Sequence, residues 1–258
     1  MILHTIWQWI KYFHLRTDEH SLHSPFFYHF YNQILKKDTK NEAFAPIEAI
    51  RKQFLQSDEE IEINDLGAGS RSGQSNNRKV KDIAKVSLSQ AKFSSFMYRL
   101  IQQHDFRQVV ELGTSLGINT AYLALNKDTK VYSFEGDQKV AKLAAQHLAS
   151  FNNCKLIRGN IDNTLVTFLA DYEQALDLVY FDANHTYEAT LRYFNLCLPH
   201  AHEHSIFILD DIYWSRGMTK AWKEIKKHPK VIASVDIFDA GILFFDPSLN
   251  RENLILDF

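Results

Sequence analysis

Val110-Glu111-Leu112-Gly113-Thr114-Ser115-Leu116-Gly117-Ile118-Asn119-Thr120-Ala121-Tyr122-Leu123-Ala124 is the stretch that decides the fold class. An apolar run that begins at Val109 leads into a turn with two glycines. Apolar residues at helical spacing follow from Ile118. Strand, glycine turn and helix in that order open a βαβ unit, and Gly113 and Gly117 allow backbone or ligand to approach where a Cβ would obstruct. The same alternation continues downstream. Residues 130–134, 155–158, 176–181 and 205–209 have strand character, and the segments 138–150, 164–172, 187–198 and 217–227 that follow them have helical character. Residues 231–238 and 242–245, joined by Asp239-Ala240-Gly241, form a hairpin. The pattern predicts an α/β protein with a Rossmann-like, seven-stranded, mostly parallel sheet, helices on both faces and a C-terminal antiparallel hairpin.

Upstream of the alternation the chain changes character. Residues 1–60 have helical spacing with breaks near His20–Pro25 and 38–46, and residues 60–66 alternate as a short strand. A polar loop runs from Gly67 to Asn77, and a helix is expected over 79–103. The expected division is an N-terminal helical extension over 1–86 and a catalytic domain over 87–258. The extension is rich in aromatic residues: Trp7, Trp9, Tyr12, Phe13, Phe26, Phe27, Tyr28, Phe30 and Tyr31. Ile2, Ile6, Trp9, Ile10 and Phe13 share one face of an amphipathic helix. We expect that helix to pack on the domain or on a second copy, as a homodimer, rather than to lie on a membrane. It lacks the basic start and cleavage site of a signal peptide and is too short to span a bilayer.

With 29 Lys+Arg against 31 Asp+Glu, the charge of −2 lacks the broad positive footprint of a nucleic-acid binder. Its 45% hydrophobic and 23% charged residues suit a globular chain. Two cysteines, Cys154 and Cys197, fit a reducing, cytoplasmic compartment rather than a disulfide scaffold.

Ligands of such sheets bind beyond the carboxyl ends of the strands. The loop Glu111–Gly117 lies there, and the next strand ends in Glu135-Gly136-Asp137, where a carboxylate suits ribose hydroxyls. A dinucleotide fold would want Gly-x-Gly-x-x-Gly. Here Ser115 holds the second glycine position, the third is missing, and the acid Glu111 precedes the loop. An acid at that entrance favours a cationic ligand, such as the sulfonium of S-adenosylmethionine.

The stretch Val110–Ala124 resembles the first motif of the class I S-adenosylmethionine-dependent methyltransferases. It is most similar to the small O-methyltransferases of the catechol and caffeoyl-coenzyme A type, whose loop is Gly-Thr-x-x-Gly. The resemblance covers about residues 87–245. It implies that Glu111, Gly113, Thr114, Ser115 and Gly117 cradle the methionine part of the cofactor. Glu135 and Gly136 would hold the ribose, and Asn160 stands where the family often has an Asp near the adenine. Asp65-Leu66-Gly67-Ala68-Gly69-Ser70 looks like a second such motif. It is followed by a polar, basic loop rather than a helix, so we expect it to be a connection that covers the site.

Two further strand ends carry acids: Asp182, with Asn184 and His185 behind it, and Asp210-Asp211. Three converging carboxylates call for a cation or basic partners, and all-oxygen ligation suits Mg²⁺, Mn²⁺ or Ca²⁺. The metal-dependent members of the family carry Asp after the fourth strand and Asp-Asn after the fifth. Asp182 and Asp210 match, Asp211 replaces the Asn, and His185 stands where the family has its lysine base. Histidine titrates near neutrality and can take a proton from a hydroxyl. The competing reading makes Asp182 and Asp211 helix caps.

Other segments invite structural readings. His200-Ala201-His202-Glu203-His204 is expected in a turn before the fifth strand, His20–Pro25 as a cap with a secondary claim on the substrate pocket, and Cys197 as an inert core residue. Arg71, Arg78, Lys79, Lys81 and Lys85 form a basic stretch. The function expected is methylation of a small hydroxylated acceptor, metal-assisted in the catechol-type version. The alternatives are metal-independent methylation of nitrogen or another acceptor, and a cofactor-binding module without catalysis.

Overall fold

The computed structural model describes residues 2–63 and 77–258. The Asp65–Ser70 motif, most of the polar loop and Arg71 lie outside the described residues. In chain order the elements are α1 (Ile2–Leu15), α2 (Pro25–His29), α3 (Phe44–Gln56), β1 (Glu60–Glu62) and β2 (Asn77–Lys79). Then come α4 (Val80–Ser87), α5 (Ala91–His104), β3 (Gln108–Leu112), α6 (Ile118–Ala124), β4 (Lys130–Glu135) and α7 (Gln138–Leu148). They are followed by β5 (Cys154–Arg158), α8 (Ile161–Ala170), β6 (Leu176–Phe181), α9 (Tyr187–Cys197) and β7 (Ala201–Asp210). The chain closes with α10 (Arg216–Ile225), β8 (Ala233–Asp236), β9 (Ala240–Phe244) and β10 (Glu252–Ile255). The expected alternation is present, with β10 as an additional strand that makes eight rather than seven, mostly parallel and mixed at the C-terminal end.

The chain falls into two compact units, Asp38–Tyr172 and a discontinuous one made of Met1–Lys37 with Glu173–Phe258. The expected boundary at 86/87 lies inside the first of these. In Asp38–Tyr172, β3, β4 and β5 run parallel in that order, with Val110 opposite Tyr132 and Ser133 opposite Leu156. β3 is buried along almost its whole length, as expected of a parallel strand covered on both faces. Ile47 of α3, Tyr98 of α5, Ile118, Ala121 and Tyr122 of α6, and Ala144 and Leu148 of α7 share one apolar cluster. Val80, Ile83 and Ala84 of α4 form a second with Leu116, Val140 and Leu143. Leu116, a loop residue, is fully buried there and anchors the glycine turn.

In the discontinuous unit the strand order is β10-β8-β9-β7-β6. β6 pairs parallel with β7, β9 lies antiparallel to both β7 and β8, and β10 is parallel to β8. The expected hairpin is therefore β8–β9. Gly241 in β9 makes room for the fully buried Trp222 of α10, whose ring carbons would lie only 2.6–2.8 Å from an added Cβ. The first 37 residues belong to this unit through specific contacts. The Tyr12 hydroxyl donates to Leu256 O at 2.7 Å, and the Thr17 amide donates to Ile255 O at 2.8 Å. Arg16 and Lys36 both pair with Asp257 at 2.6 Å. Phe26, Phe27 and Phe30 stand edge-on to Phe244, with ring centroids 5.2–5.6 Å apart. His20–Pro25 performs the capping role: Asp18 accepts from His20 N, and Ser24 caps α2.

Candidate active site: a cofactor loop and an acid–histidine cluster

Within Asp38–Tyr172, β3 delivers the chain into a turn that is closed on itself. The amides of Gly113 and Thr114 both donate to Phe134 O at 3.0 Å, and that of Gly117 donates to Thr114 O at 2.8 Å. The Ser115 amide donates to Glu135 Oε2 at 2.7 Å, while Glu135 Oε1 accepts from Asp137 N at 2.8 Å. Glu135 thus clips the turn to the end of β4. Its burial pushes its carboxyl up to about 6, against the pull of these amide donors. Ser115 Oγ lies 2.7 Å from Ser87 Oγ, and Thr114 Oγ1 lies 2.5 Å from Ser133 Oγ.

Gly117 has φ +76 and opens α6. An added Cβ there would lie 3.0 Å from Leu148 Cδ1, 3.1 Å from Ala144 Cβ and 3.2 Å from His147 Nε2, so both conformation and space call for glycine. His147 Nε2 in turn lies 2.7 Å from Leu116 O.

Glu111, the acid at the loop entrance, lies beneath the turn. It is fully buried and accepts from Asn119 Nδ2 at 2.9 Å, Thr120 Oγ1 at 2.5 Å and Ser133 Oγ at 2.6 Å. Burial raises its pKa, and the three donors oppose that rise. In this structure it ties β3, β4 and α6 together beneath the turn. Asn160 caps α8 by accepting from Asp162 N at 2.9 Å, just after Gly159 at φ +127. Gly136 lies between the two anchored residues Glu135 and Asp137.

The acid–histidine cluster belongs wholly to the other unit. Phe181 of β6 pairs with Leu209 of β7, so Asp182 and Asp210 leave neighbouring strand ends side by side. The two carboxyls hydrogen-bond to each other. Burial first, and then the negative charges of Asp182 and Asp211, raise Asp210 well above the ordinary carboxylate range. Burial also raises Asp211, while the nearby His185 lowers it. His185 Nε2 lies 3.4 Å from Asp182 Oδ1. Neither acid caps a helix: Thr186 caps α9 and Ser215 caps α10, so the competing reading falls away. Asp239 is a further member that sequence reading missed. Its carboxyl is raised by burial and then by Asp211, and its backbone oxygen accepts from the Asp211 amide at 2.7 Å. The only signal for it was its position in a hairpin turn, where an Asp is ordinary.

The oxygen donors Asp182, Asp210 and Asp211 match a hard divalent cation in chemistry. Among the described residues, however, no three His, Cys, Asp or Glu side chains form a group that could hold a metal ion. Asp182 is engaged with His185 and Asp210, and Asp211 sits in a left-handed backbone at φ +53. No chemical step is therefore assigned to a metal here.

The remaining expectations resolve structurally. His202 and His204 lie within β7 rather than in a turn. His202 Nε2 is 2.9 Å from Asp177, and His204 Nδ1 is 3.9 Å from Asp246. Lys79 and Lys81 pair with Asp58, and Lys85 with Asp82. Both cysteines are free. Burial raises the Cys154 thiol to about 12 and pushes that of Cys197 up as well, which leaves both poor nucleophiles. Among the described residues no helix is long and apolar enough to cross a membrane.

Residues 110–212 match a family model described as a methyltransferase domain. The fold is that of a class I methyltransferase. Among solved structures, the methyltransferase PaMTH1 of Podospora anserina, SAH-bound, aligns with a TM-score of 0.60 at 14% identity, covering 82% of this chain and 91% of its own. The O-methyltransferase of Bacillus cereus in complex with SAH aligns at 0.58 with 16% identity, over 81% and 92% of the two chains. TomG of Streptomyces achromogenes, an O-methyltransferase involved in tomaymycin synthesis and bound to SAM, aligns at 0.58 with 14% identity, over 81% and 91%. No curated protein sequence matches the chain. The resemblance thus holds at the level of a methyltransferase domain over residues 110–212 and of the class I methyltransferase fold.

Proposed function

We propose that the protein is an S-adenosylmethionine-dependent O-methyltransferase of a small hydroxylated molecule. One observation carries the cofactor reading: the amides of Gly113, Thr114, Ser115 and Gly117 are spent on protein acceptors, and Glu135 stands at the end of β4. A dinucleotide pyrophosphate needs such amides free, whereas a cationic methionine part with a ribose does not. Glu135 accepts from the Ser115 and Asp137 amides and also from that of Gly136, and its carboxylate keeps lone-pair capacity for a ribose hydroxyl. Bound S-adenosylmethionine would supply an electrophilic methyl group.

The chain's own contribution to the chemistry is the management of one proton. His185 takes it from the acceptor hydroxyl at the ring nitrogen that does not face Asp182, and Asp182, 3.4 Å from Nε2, orients the ring and stabilises the imidazolium. Asp210 shares a proton with Asp182, which limits the negative charge beside the histidine. This reading keeps the expected base and gives the acids a positioning role without a cation. The two free cysteines support a cytoplasmic setting.

Calorimetry with S-adenosylmethionine and its demethylated product, with NAD⁺ as the control, tests the proposal. Binding of the first two in the micromolar range, lost in Glu135→Ala, is the expected result. Binding of NAD⁺ with none of the sulfonium ligand would overturn it.

A further inference from the structure

Helix α1 is mounted with its polar side inward. His4 Nε2 lies 2.9 Å from Thr219 Oγ1 of α10, Thr5 Oγ1 donates to Tyr213 O at 3.4 Å, and Tyr12 is the residue of α1 that is buried. Ile2, Leu3, Ile6, Trp7, Trp9, Ile10, Phe13 and Leu15 are left 38–82% exposed. At 100° per residue, all of these but Leu15 occupy an outward arc of roughly 160°. Among the described residues they are eight of the thirteen exposed large hydrophobics, so the apolar surface of the molecule is concentrated on this helix. A soluble helix normally shows the reverse arrangement, and a contiguous patch of this kind marks a contact surface.

Charge selects the occupant. From Ile2 to Thr17 there is no acidic residue, while Lys11 and Arg16 are present. Arg16 is paired with Asp257, and Lys11 lies 5.2 Å from the Trp7 ring centroid. The His4–Thr219 contact sets α10 alongside α1 and brings exposed Arg216 and Lys223 to its edge. Their positive charges, together with that of Lys11, add to burial in lowering the pKa of His4. Lys220 lies on the same helix, where Glu224 is taken up by the Tyr187 hydroxyl. Exposed Trp214 follows Tyr213 at the same margin. A second copy of the chain would bring this basic border against its own image. An anionic lipid surface would neutralise it and accept Trp7, Trp9 and Phe13 at the headgroup level, where such rings settle.

We propose that the outward face of α1, bordered by Lys11, Arg216 and Lys223, docks the protein on an anionic phospholipid surface. The helix lies in the interface plane and spans nothing. This inference is independent of the cofactor and the acid–histidine cluster.

The test uses the full chain with two kinds of vesicle, pure phosphatidylcholine and phosphatidylcholine with about a third phosphatidylglycerol. Flotation and tryptophan emission are the readouts. We expect binding to the anionic vesicles with a blue shift of the emission, weakened by salt. Ile6→Glu/Trp9→Glu should lower the partition roughly tenfold or more, because both side chains point away from the fold. Arg216→Glu/Lys223→Glu should remove the preference for anionic lipid while leaving circular dichroism unchanged. The proposal is overturned if the protein floats with neither vesicle, or if Ile6→Glu/Trp9→Glu binds as the parent does. It is equally overturned if sedimentation shows a dimer that this double variant dissociates without any vesicle binding, which would assign the face to a second copy.

Discussion

Gly117→Ala probes the turn on which the cofactor reading rests, and its cost can be worked from two terms. An alanine at φ +76 enters the left-handed region at a cost of about 1–2 kcal/mol. Its Cβ would sit 3.0, 3.1 and 3.2 Å from Leu148, Ala144 and His147, inside the ordinary 3.5–4.0 Å carbon contact range. Overpacking of that kind adds about 1–3 kcal/mol. The sum is about 2–5 kcal/mol of lost stability, or a fall in Tm on the order of 5–15 °C. Urea unfolding followed by intrinsic fluorescence reads this directly. Leu148→Ala, made alone and with Gly117→Ala, separates the terms, since it removes the nearest clash and leaves the backbone strain. A coupling of about 1 kcal/mol is expected in that cycle. The local movement should also weaken S-adenosylmethionine binding, because Leu116, Thr114 and Ser115 are held through the same turn. A Gly117→Ala variant within about 0.5 kcal/mol of the parent, with unchanged cofactor affinity, would refute the reasoning.

Further outcomes follow from other residues. Gly241→Ala should be more damaging to the discontinuous unit, since its Cβ would lie 2.6 Å from a Trp222 ring carbon; loss of soluble expression or of the near-ultraviolet Trp signal is the readout. The Glu135 carboxyl is raised from 4.5 to about 6 in the fold, so its ionisation costs about 2 kcal/mol. The corresponding stability is complete below the unfolded pKa, is lost as pH rises through about 6, and is flat above that. Glu135→Gln should therefore flatten the slope in urea titrations between those two values. His185→Ala should lower kcat about 10²- to 10⁴-fold with little change in cofactor affinity, and recovery of rate at higher pH in His185→Lys would support its role as base. Turnover should persist in the presence of a chelator, and strict dependence on added Mg²⁺ would return Asp182, Asp210 and Asp211 to the role of ligands.

The sheet was legible because its signals are local. The strands β3, β4, β6 and β7 show apolar runs closed by a glycine or an acid, and the period changes visibly at the following helix. Glu135 could be placed for the same reason, as the last residue of β4. What escaped was nonlocal. Glu111 looks like an entrance acid until its partners Asn119, Thr120 and Ser133, up to 22 positions away, are seen to enclose it. The aromatic start looked like a separate cap because nothing in it announces Leu256, Asp257 or Phe244 as partners. β10 was overlooked because Glu252-Asn253-Leu254-Ile255 has strand character only once β8 offers it an edge. Asp239 joined the acid cluster through a backbone contact that spacing does not encode.

The latch between Tyr12, Thr17 and the segment Ile255–Asp257 has a consequence for the order in which the molecule forms. Asp38–Tyr172 is one continuous piece of chain, so its internal contacts are all available once Tyr172 has been made. Those of the other unit are not, since its two segments are separated by that whole piece and the Tyr12–Leu256 bond spans 244 residues. At a synthesis rate of roughly 5–20 residues per second, α1 waits on the order of 10–50 s for its partner strand. During that interval both faces of the helix are open, the apolar one and the polar one that later docks. The aromatic helix is thus among the first parts of the described chain to be made and among the last to find its place.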